Sequence, residues 1–175
     1  MHTRIRGLSR RVVLPLLSAF FAAAAWGAPA LKVEESTVLA ASPAAVWKVI
    51  GEFNDLSGWH PMIAATSIVK GTNNAKGAVR SLTTKDGAKI VEELLAYDGK
   101  SHSMRYRFLE SPLPVKDYVA TLAVKPEGTG SRIVWKSEFK RTGDIDDAKA
   151  KELFAGIYRA GFDSTRAKLG ETAKN

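Results

Sequence analysis

Cysteine is absent from the 175 residues of the chain, which excludes disulfide bonds, thiolate metal sites and cysteine nucleophiles. Histidine occurs three times, and the two that lie beyond the N-terminal segment, His60 and His102, show no metal-ligand spacing. The sequence also lacks a Gly-x-Ser-x-Gly elbow, a phosphate-binding loop and a dinucleotide fingerprint. We therefore expect neither a metal nor a cofactor.

Long apolar runs are missing except near the N terminus. There, four arginines and no acidic residue precede an apolar stretch from Val12 to Trp26, and Ala28-Pro29-Ala30 follows. This is the three-part layout of a secretory signal peptide, and about fifteen apolar residues are fewer than the ~20 that span a bilayer. We predict a signal peptide over residues 1–30 and a periplasmic or secreted protein with no stable membrane span after cleavage. The Arg10-Arg11 pair also fits a twin-arginine signal, so the export route stays open.

The basic charge of the chain belongs partly to this leader. The whole sequence has 26 Lys+Arg against 18 Asp+Glu, a net charge of +8. The leader contributes four arginines (Arg4, Arg6, Arg10 and Arg11), so 22 basic residues face 18 acidic ones in the rest. The remaining excess of +4 gives little support to nucleic-acid binding.

Residues 31–175 predict one domain in which short strands separate two helical regions. Ser42 and Pro43 are typical of a helix start, Asn54–Trp59 predicts a second short helix, and Asp144 or Asp146 caps a helix that runs to about Leu169. Turn residues bound the strands, and their short connections indicate an antiparallel meander. The predicted strands are Lys32–Leu39, Ile63–Lys70, Ala78–Thr84, Lys89–Tyr97, Ser103–Leu109, Lys116–Lys125 and Ser131–Arg141.

Several segments, taken in order, resemble the START/Bet v 1-like (SRPBCC) superfamily and its bacterial polyketide cyclase/dehydrase-type branch. These segments are Ser42–Trp47, Phe53–Pro61, Lys76–Leu82, Glu92–Leu94 with Tyr97-Asp98, and Leu113–Tyr118. The resemblance covers residues 31–175 and implies an α+β helix-grip fold: about seven curved antiparallel strands wrap around a long C-terminal helix, two short helices follow the first strand, and a cavity lies inside. Exported members of the branch are similar to periplasmic accessory proteins of methanol oxidation. By resemblance to plant hormone receptors, Ser111–Lys116 occupies the position of a latch loop at the cavity mouth.

Strand alternation predicts which side chains face this cavity. Together with aromatic residues of the last helix and of the second short helix, the inward positions give a predicted ligand site. Its members are Trp59, His60, Arg80, Leu82, Glu92, Leu94, Tyr106, Phe108, Tyr118, Trp135, Phe139, Tyr158 and Phe162.

Two charged residues and one histidine in this set leave alternatives open. Arg80 and Glu92 alternate with leucines on neighbouring strands, so they could meet across the pair. Arg80 could then recognise a ligand carboxylate, or the two could form an ion pair at the solvent side or cavity rim. His60 could be an acid/base group or could bond a backbone carbonyl.

Three functions follow from these expectations. The first is an exported protein that binds a small hydrophobic or aromatic molecule. The second is an accessory protein that stimulates a periplasmic quinoprotein dehydrogenase of the methanol type and its cytochrome, as the resemblance implies. The third is a cyclase or dehydratase in which His60, Glu92 or Arg80 moves a proton. The absence of a complete catalytic constellation favours a binding protein over an enzyme.

Overall fold

Seven strands and three helices form the part of the chain that the computed structural model describes, residues 29–171. The predicted signal peptide lies outside these residues except for Pro29 and Ala30. A single 3₁₀ turn, Phe53–Asp55, precedes the second helix. The elements are β1 (Leu31–Leu39), α1 (Pro43–Ile50), α2 (Leu56–Trp59), β2 (Ile63–Lys70), β3 (Val79–Thr84), β4 (Lys89–Asp98), β5 (Ser103–Glu110), β6 (Val115–Glu127), β7 (Gly130–Arg141) and α3 (Asp147–Lys168).

All seven strands belong to one antiparallel sheet with the order β1-β7-β6-β5-β4-β3-β2. Strands β2 to β7 follow one another as hairpins, and β1 pairs with β7. The first and last strands of the chain are therefore neighbours, and β1 and β2 form the two edges of the sheet. The order of the elements and the long C-terminal helix confirm the predicted helix-grip fold. No helix within residues 29–171 is both long enough and apolar enough to cross a membrane.

Capping side chains mark the starts of α1 and α3 where the sequence predicts them. The Ser42 hydroxyl accepts a hydrogen bond from the backbone N–H of Ala45, and Pro43 opens α1. The Asp146 carboxylate accepts from the N–H of Lys149 at 2.7 Å, so Asp146 is the N-cap of α3 and Asp144 lies outside the helix. These two caps fix the residues at which α1 and α3 begin.

Helix α3 fills the concave face of the sheet with aromatic side chains. The rings of Trp135 on β7 and Tyr158 on α3 stack with centroids 4.6 Å apart. Phe154, one turn earlier on α3, lies 4.6 Å from Phe139 and 4.9 Å from Tyr118. Rings at these spacings exclude water and contribute beyond their buried area. Most of the space between the sheet and the helix is therefore occupied by the protein itself.

Gly161 lets α3 approach three rings of this core. A Cβ added at Gly161 would lie 3.0 Å from both His60 Cδ2 and Trp135 Cζ3, and 3.1 Å from Trp59 Cζ3. All three rings are buried, so they have little room to move. A side chain at this position would overpack the core.

We therefore predict opposite effects for two Gly→Ala substitutions in the same helix. Gly161→Ala destabilises the fold because overpacking costs about 1–3 kcal/mol, more than the ~1 kcal/mol of helix propensity that alanine adds. Gly156→Ala is the matched control, since a Cβ there meets nothing within 4 Å, and it stabilises by about 0.5–1 kcal/mol. Urea unfolding of both variants measures the difference, and equal stabilisation by both would contradict the packing described.

Candidate functional site

A cavity of about 90 Å³ remains at one end of the interior, between α3 and strands β2 to β7. Its mouth is formed by side chains that are partly exposed, and Met62 is the most exposed of them at 45%. The lining is almost entirely apolar. The lining residues are Leu56, His60, Met62, Ile63, Leu82, Thr84, Ile90, Glu92, Tyr106, Phe108, Leu113, Tyr118, Trp135, Phe154, Ile157 and Tyr158.

The structure brings most of the predicted site residues together around this cavity. One comes from the segment after α2, one from each of β3, β4, β6 and β7, two from β5, and one from α3. These are His60, Leu82, Glu92, Tyr106, Phe108, Tyr118, Trp135 and Tyr158.

The other five predicted residues do not line the cavity, because the aromatic packing under α3 closes the rest of the interior. Trp59 packs against Trp135 at 5.6 Å, and Phe162 lies 6.4 Å from the same ring. Phe139 is covered by Phe154, and Leu94 is fully buried. Arg80 lies on the side of the Glu92 carboxylate that faces away from the cavity. These five residues therefore lie outside the cavity wall, and their part in a ligand site stays a prediction.

The sequence analysis did not identify eight of the lining residues, although strand alternation or the position in a loop could have indicated some of them. Ile90 lies two residues before Glu92 and Thr84 lies two after Leu82, so alternation along β3 and β4 places them on the same face. Leu113 belongs to the loop that the resemblance placed at the cavity mouth. The others depend on tertiary packing around the mouth: Leu56, Met62, Ile63, Phe154 and Ile157.

Arg80 and Glu92 are direct cross-strand partners and form a buried ion pair. Arg80 Nη2 and Nε lie 2.5 and 2.6 Å from Glu92 Oε2, and the two side chains are 3% and 4% exposed. The predicted meeting of the two residues is confirmed. The pair nevertheless lies in the interior, so neither of the two alternatives, a ligand-binding arginine or a pair at the rim, describes it.

The guanidinium of Arg80 is held on all sides by the protein. Its Nη1 donates to the backbone carbonyl of Phe53 at 2.6 Å, and its Cζ lies 4.2 Å from the Phe53 ring centroid and 5.2 Å from that of Tyr106. Cation–π contacts and charge-assisted hydrogen bonds replace the water that the guanidinium loses. Arg80 therefore neutralises the charge of Glu92 and binds the 3₁₀ turn through the Phe53 carbonyl.

Removing one partner of this ion pair should lower the stability of the fold far more than replacing both partners with apolar residues. Arg80→Met leaves the Glu92 carboxylate buried without its partner, which destabilises by about 3–5 kcal/mol. The double variant Arg80→Met/Glu92→Leu removes both charges and should recover most of that loss. Thermal unfolding of the single and double variants measures the effect. A double variant as unstable as the single one would contradict it.

His60 is buried and bonded to backbone at both ring nitrogens. Nε2 lies 3.0 Å from the carbonyl of Ile157 on α3, and Nδ1 accepts the N–H of Met62 at 3.3 Å. The carbonyl requires Nε2 to carry a proton and the N–H requires Nδ1 to accept, so the ring is neutral. Burial also lowers the pKa of His60 below its ordinary value of 6.5. Of the two alternatives, the structure shows the bond to a backbone carbonyl.

The lowered pKa predicts a loss of stability in acid. Unfolded His60 takes up a proton near pH 6.5 and the folded ring resists it, so its contribution is complete above pH 6.5 and is lost as the pH falls through and below that value. Between about pH 6.5 and 5 the loss reaches at most about 2 kcal/mol. His60→Gln keeps a donor for the Ile157 carbonyl and should flatten this dependence in denaturant titrations. His102→Gln, in the turn before β5, is the control, and a flattening by that variant instead would contradict the assignment.

Three buried tyrosines supply further polar groups at the cavity. Trp135 Nε1 donates to the Tyr106 hydroxyl at 2.8 Å, and the hydroxyls of Tyr118 and Tyr158 lie 2.7 Å apart. Burial raises the pKa of each of these phenols above its usual value, with the charge of Glu92 adding to the effect. They remain neutral and can offer hydrogen bonds without moving a proton at ordinary pH.

A curved antiparallel sheet wrapped around a C-terminal helix, with a cavity at one end, places the protein in the START/Bet v 1-like class. The family model described as polyketide cyclase / dehydrase and lipid transport matches residues 30–170, and the chain belongs to that family. No curated protein matches the sequence.

Solved structures give the same placement. The chain is 31% identical to the protein XoxI from Bacillus cereus, with a TM-score of 0.73, covering 79% of this chain and 94% of that one. It is 29% identical to an uncharacterised protein from Bacillus thuringiensis, with a TM-score of 0.74 and coverage of 80% and 99%. A protein from Nitrosospira multiformis is 26% identical, with a TM-score of 0.67 and coverage of 78% and 94%.

Proposed function

We propose that this protein is exported and binds a small apolar or aromatic molecule in the cavity beneath α3. The observation that carries the proposal is the apolar cavity itself, which persists beside an otherwise closely packed aromatic core. An apolar cavity with a few convergent polar groups is typical of a small-molecule site. Export rests on the predicted signal peptide over residues 1–30.

The volume limits the size of the ligand. An engineered apolar cavity of about 150 Å³ holds benzene, whereas this one measures about 90 Å³. A molecule of one ring therefore fits only when side chains at the mouth move outward. Met62, Leu113 and Ile157 are partly exposed there, and outward movement of these side chains would enlarge the cavity.

The polar groups favour binding over acid/base catalysis. Both nitrogens of His60 are engaged by backbone, so neither reaches a ligand. The phenols keep their protons, and Glu92 is held by Arg80. A proton-transfer reaction needs two groups of separated pKa that converge on the substrate, and the cavity lining offers one carboxylate, that of Glu92.

Benzene binding, followed by methyl NMR, tests this proposal. Benzene should shift the methyl signals of Leu82, Ile90 and Ile157, which line the cavity. Ile157→Phe fills the mouth and should weaken binding at least about tenfold. Ile145→Phe is the matched control, since Ile145 is also a partly buried isoleucine packed on the core but lies away from the cavity.

Two outcomes would overturn the proposal. One is the absence of any shift at the cavity methyl groups with benzene. The other is equal weakening of binding by the two Ile→Phe variants, which would place benzene elsewhere.

A second candidate is an accessory protein that stimulates a periplasmic quinoprotein dehydrogenase and its cytochrome. It is favoured by the resemblance to methanol-oxidation proteins and by exposed apolar side chains near the cavity mouth. Leu109, 47% exposed, lies two residues before the loop Ser111–Lys116, and Met62 is exposed at the rim. Apolar groups of this kind often lie at the centre of protein interfaces.

Stimulation of a purified methanol dehydrogenase with its cytochrome would test this second candidate. Leu109→Glu should reduce the stimulation severalfold because it introduces a charge into the contact. Val69→Glu is the control, since Val69 is 59% exposed but lies at the end of β2 remote from the cavity. No stimulation by the unaltered protein, or equal loss in the two variants, would count against it.

A further inference from the structure

We infer that the cavity selects a neutral molecule that carries a hydrogen-bond donor, such as a hydroxyl or an N–H group, and that Glu92 is the residue that selects it. This inference rests on the proposed function and names the chemical class of its ligand. It differs from the sequence-based hypothesis that Arg80 recognises a carboxylate.

The first step is the way the ion pair divides the two oxygens of Glu92. Arg80 Nε and Nη2 both approach Oε2, at 2.6 and 2.5 Å. Among residues 29–171, no hydrogen bond reaches Oε1. A carboxylate oxygen accepts two hydrogen bonds, and Oε1 is not one of the fully enclosed, unpartnered side-chain atoms of residues 29–171, which are Trp47 Nε1, Trp59 Nε1 and Ser137 Oγ. Glu92 therefore keeps an acceptor for which the fold supplies no donor.

The second step is the position of that acceptor. Glu92 lines the cavity and Arg80 does not, so a molecule in the cavity meets the carboxylate and is screened from the guanidinium. Arg80 is also fixed by the Phe53 carbonyl and by the rings of Phe53 and Tyr106. A ligand anion would face a carboxylate at short range and find no cation to pair with.

The third step is what else the ligand would meet. The remaining wall is apolar apart from the three phenols, Thr84 and His60. The Thr84 hydroxyl donates within its own turn, and the ring nitrogens of His60 are occupied by backbone. The Tyr106 hydroxyl accepts from Trp135 and retains its own proton to donate. A hydroxyl group on the ligand can donate to Glu92 and accept from Tyr106, whereas a methyl group can do neither.

Phenol, toluene and benzoate form a probe series that separates these properties. Phenol and toluene have nearly the same shape and differ in the donor, and benzoate replaces it with an anion. By methyl NMR titration of the purified protein, phenol should bind about tenfold more tightly than toluene, because a hydrogen bond to a charged acceptor contributes about that factor. Benzoate should bind more weakly than either.

The double variant Arg80→Met/Glu92→Leu supplies the matched control. It removes the acceptor without leaving a buried charge unpaired, so toluene should still bind while phenol loses its preference. If the double variant does not fold, Glu92→Gln, which keeps one neutral acceptor, should reduce the preference for phenol about threefold or more.

Failure of the inference is distinguishable from failure of the proposed function. If the unaltered protein binds toluene with the same affinity as phenol, or binds benzoate most tightly of the three, the selection of a neutral donor is overturned and cavity binding stays intact. An undiminished phenol preference in the variants would overturn the role of Glu92. Absence of cavity shifts with all three probes would overturn both.

Discussion

The packing of α3 into the concave face of the sheet is the constraint on which the rest of the structure depends. Tyr158 stacks on Trp135, and Phe154 lies between Phe139 and Tyr118, so aromatic rings fill the interior from one end. Gly161 permits this approach because any side chain there would meet the rings of His60, Trp135 and Trp59. What remains is a cavity of about 90 Å³ at the other end. Under the proposed function, the extent of the aromatic packing beneath α3 therefore limits the size of the ligand.

Strand pairing and the 3₁₀ turn decide how charge is accommodated inside the domain. Arg80 and Glu92 face each other across β3 and β4. Burying either charge there without the other would cost a large free energy of desolvation. The Phe53 carbonyl and two aromatic rings complete the surroundings of the guanidinium, while one oxygen of Glu92 is left for the cavity. A buried ion pair of this kind adds little net stability compared with apolar replacements. Its placement beside the cavity therefore fits the proposed binding function.

The fold could be predicted from the sequence because its signals are local: turn residues bound the strands, Ser42 and Asp146 cap helices, and alternation identifies inward faces such as Trp135 with Phe139. The candidate site could be predicted only in part. Alternation says that Phe139 and Leu94 point inward, but it cannot say whether an inward side chain borders empty space or another ring. That distinction depends on where Phe154 and Phe162 of α3 lie against the sheet. Likewise, the meeting of Arg80 and Glu92 followed from strand pairing, whereas its depth depended on the 3₁₀ turn that covers it.

Native mass spectrometry of the protein purified from its own host, followed by extraction and identification of any bound molecule, tests the central claim most directly. The structure predicts a neutral molecule of no more than about one ring that carries a hydroxyl or N–H group, as the cavity volume and Glu92 require. A long-chain lipid, a carboxylate, or repeated isolation without any bound molecule would contradict it.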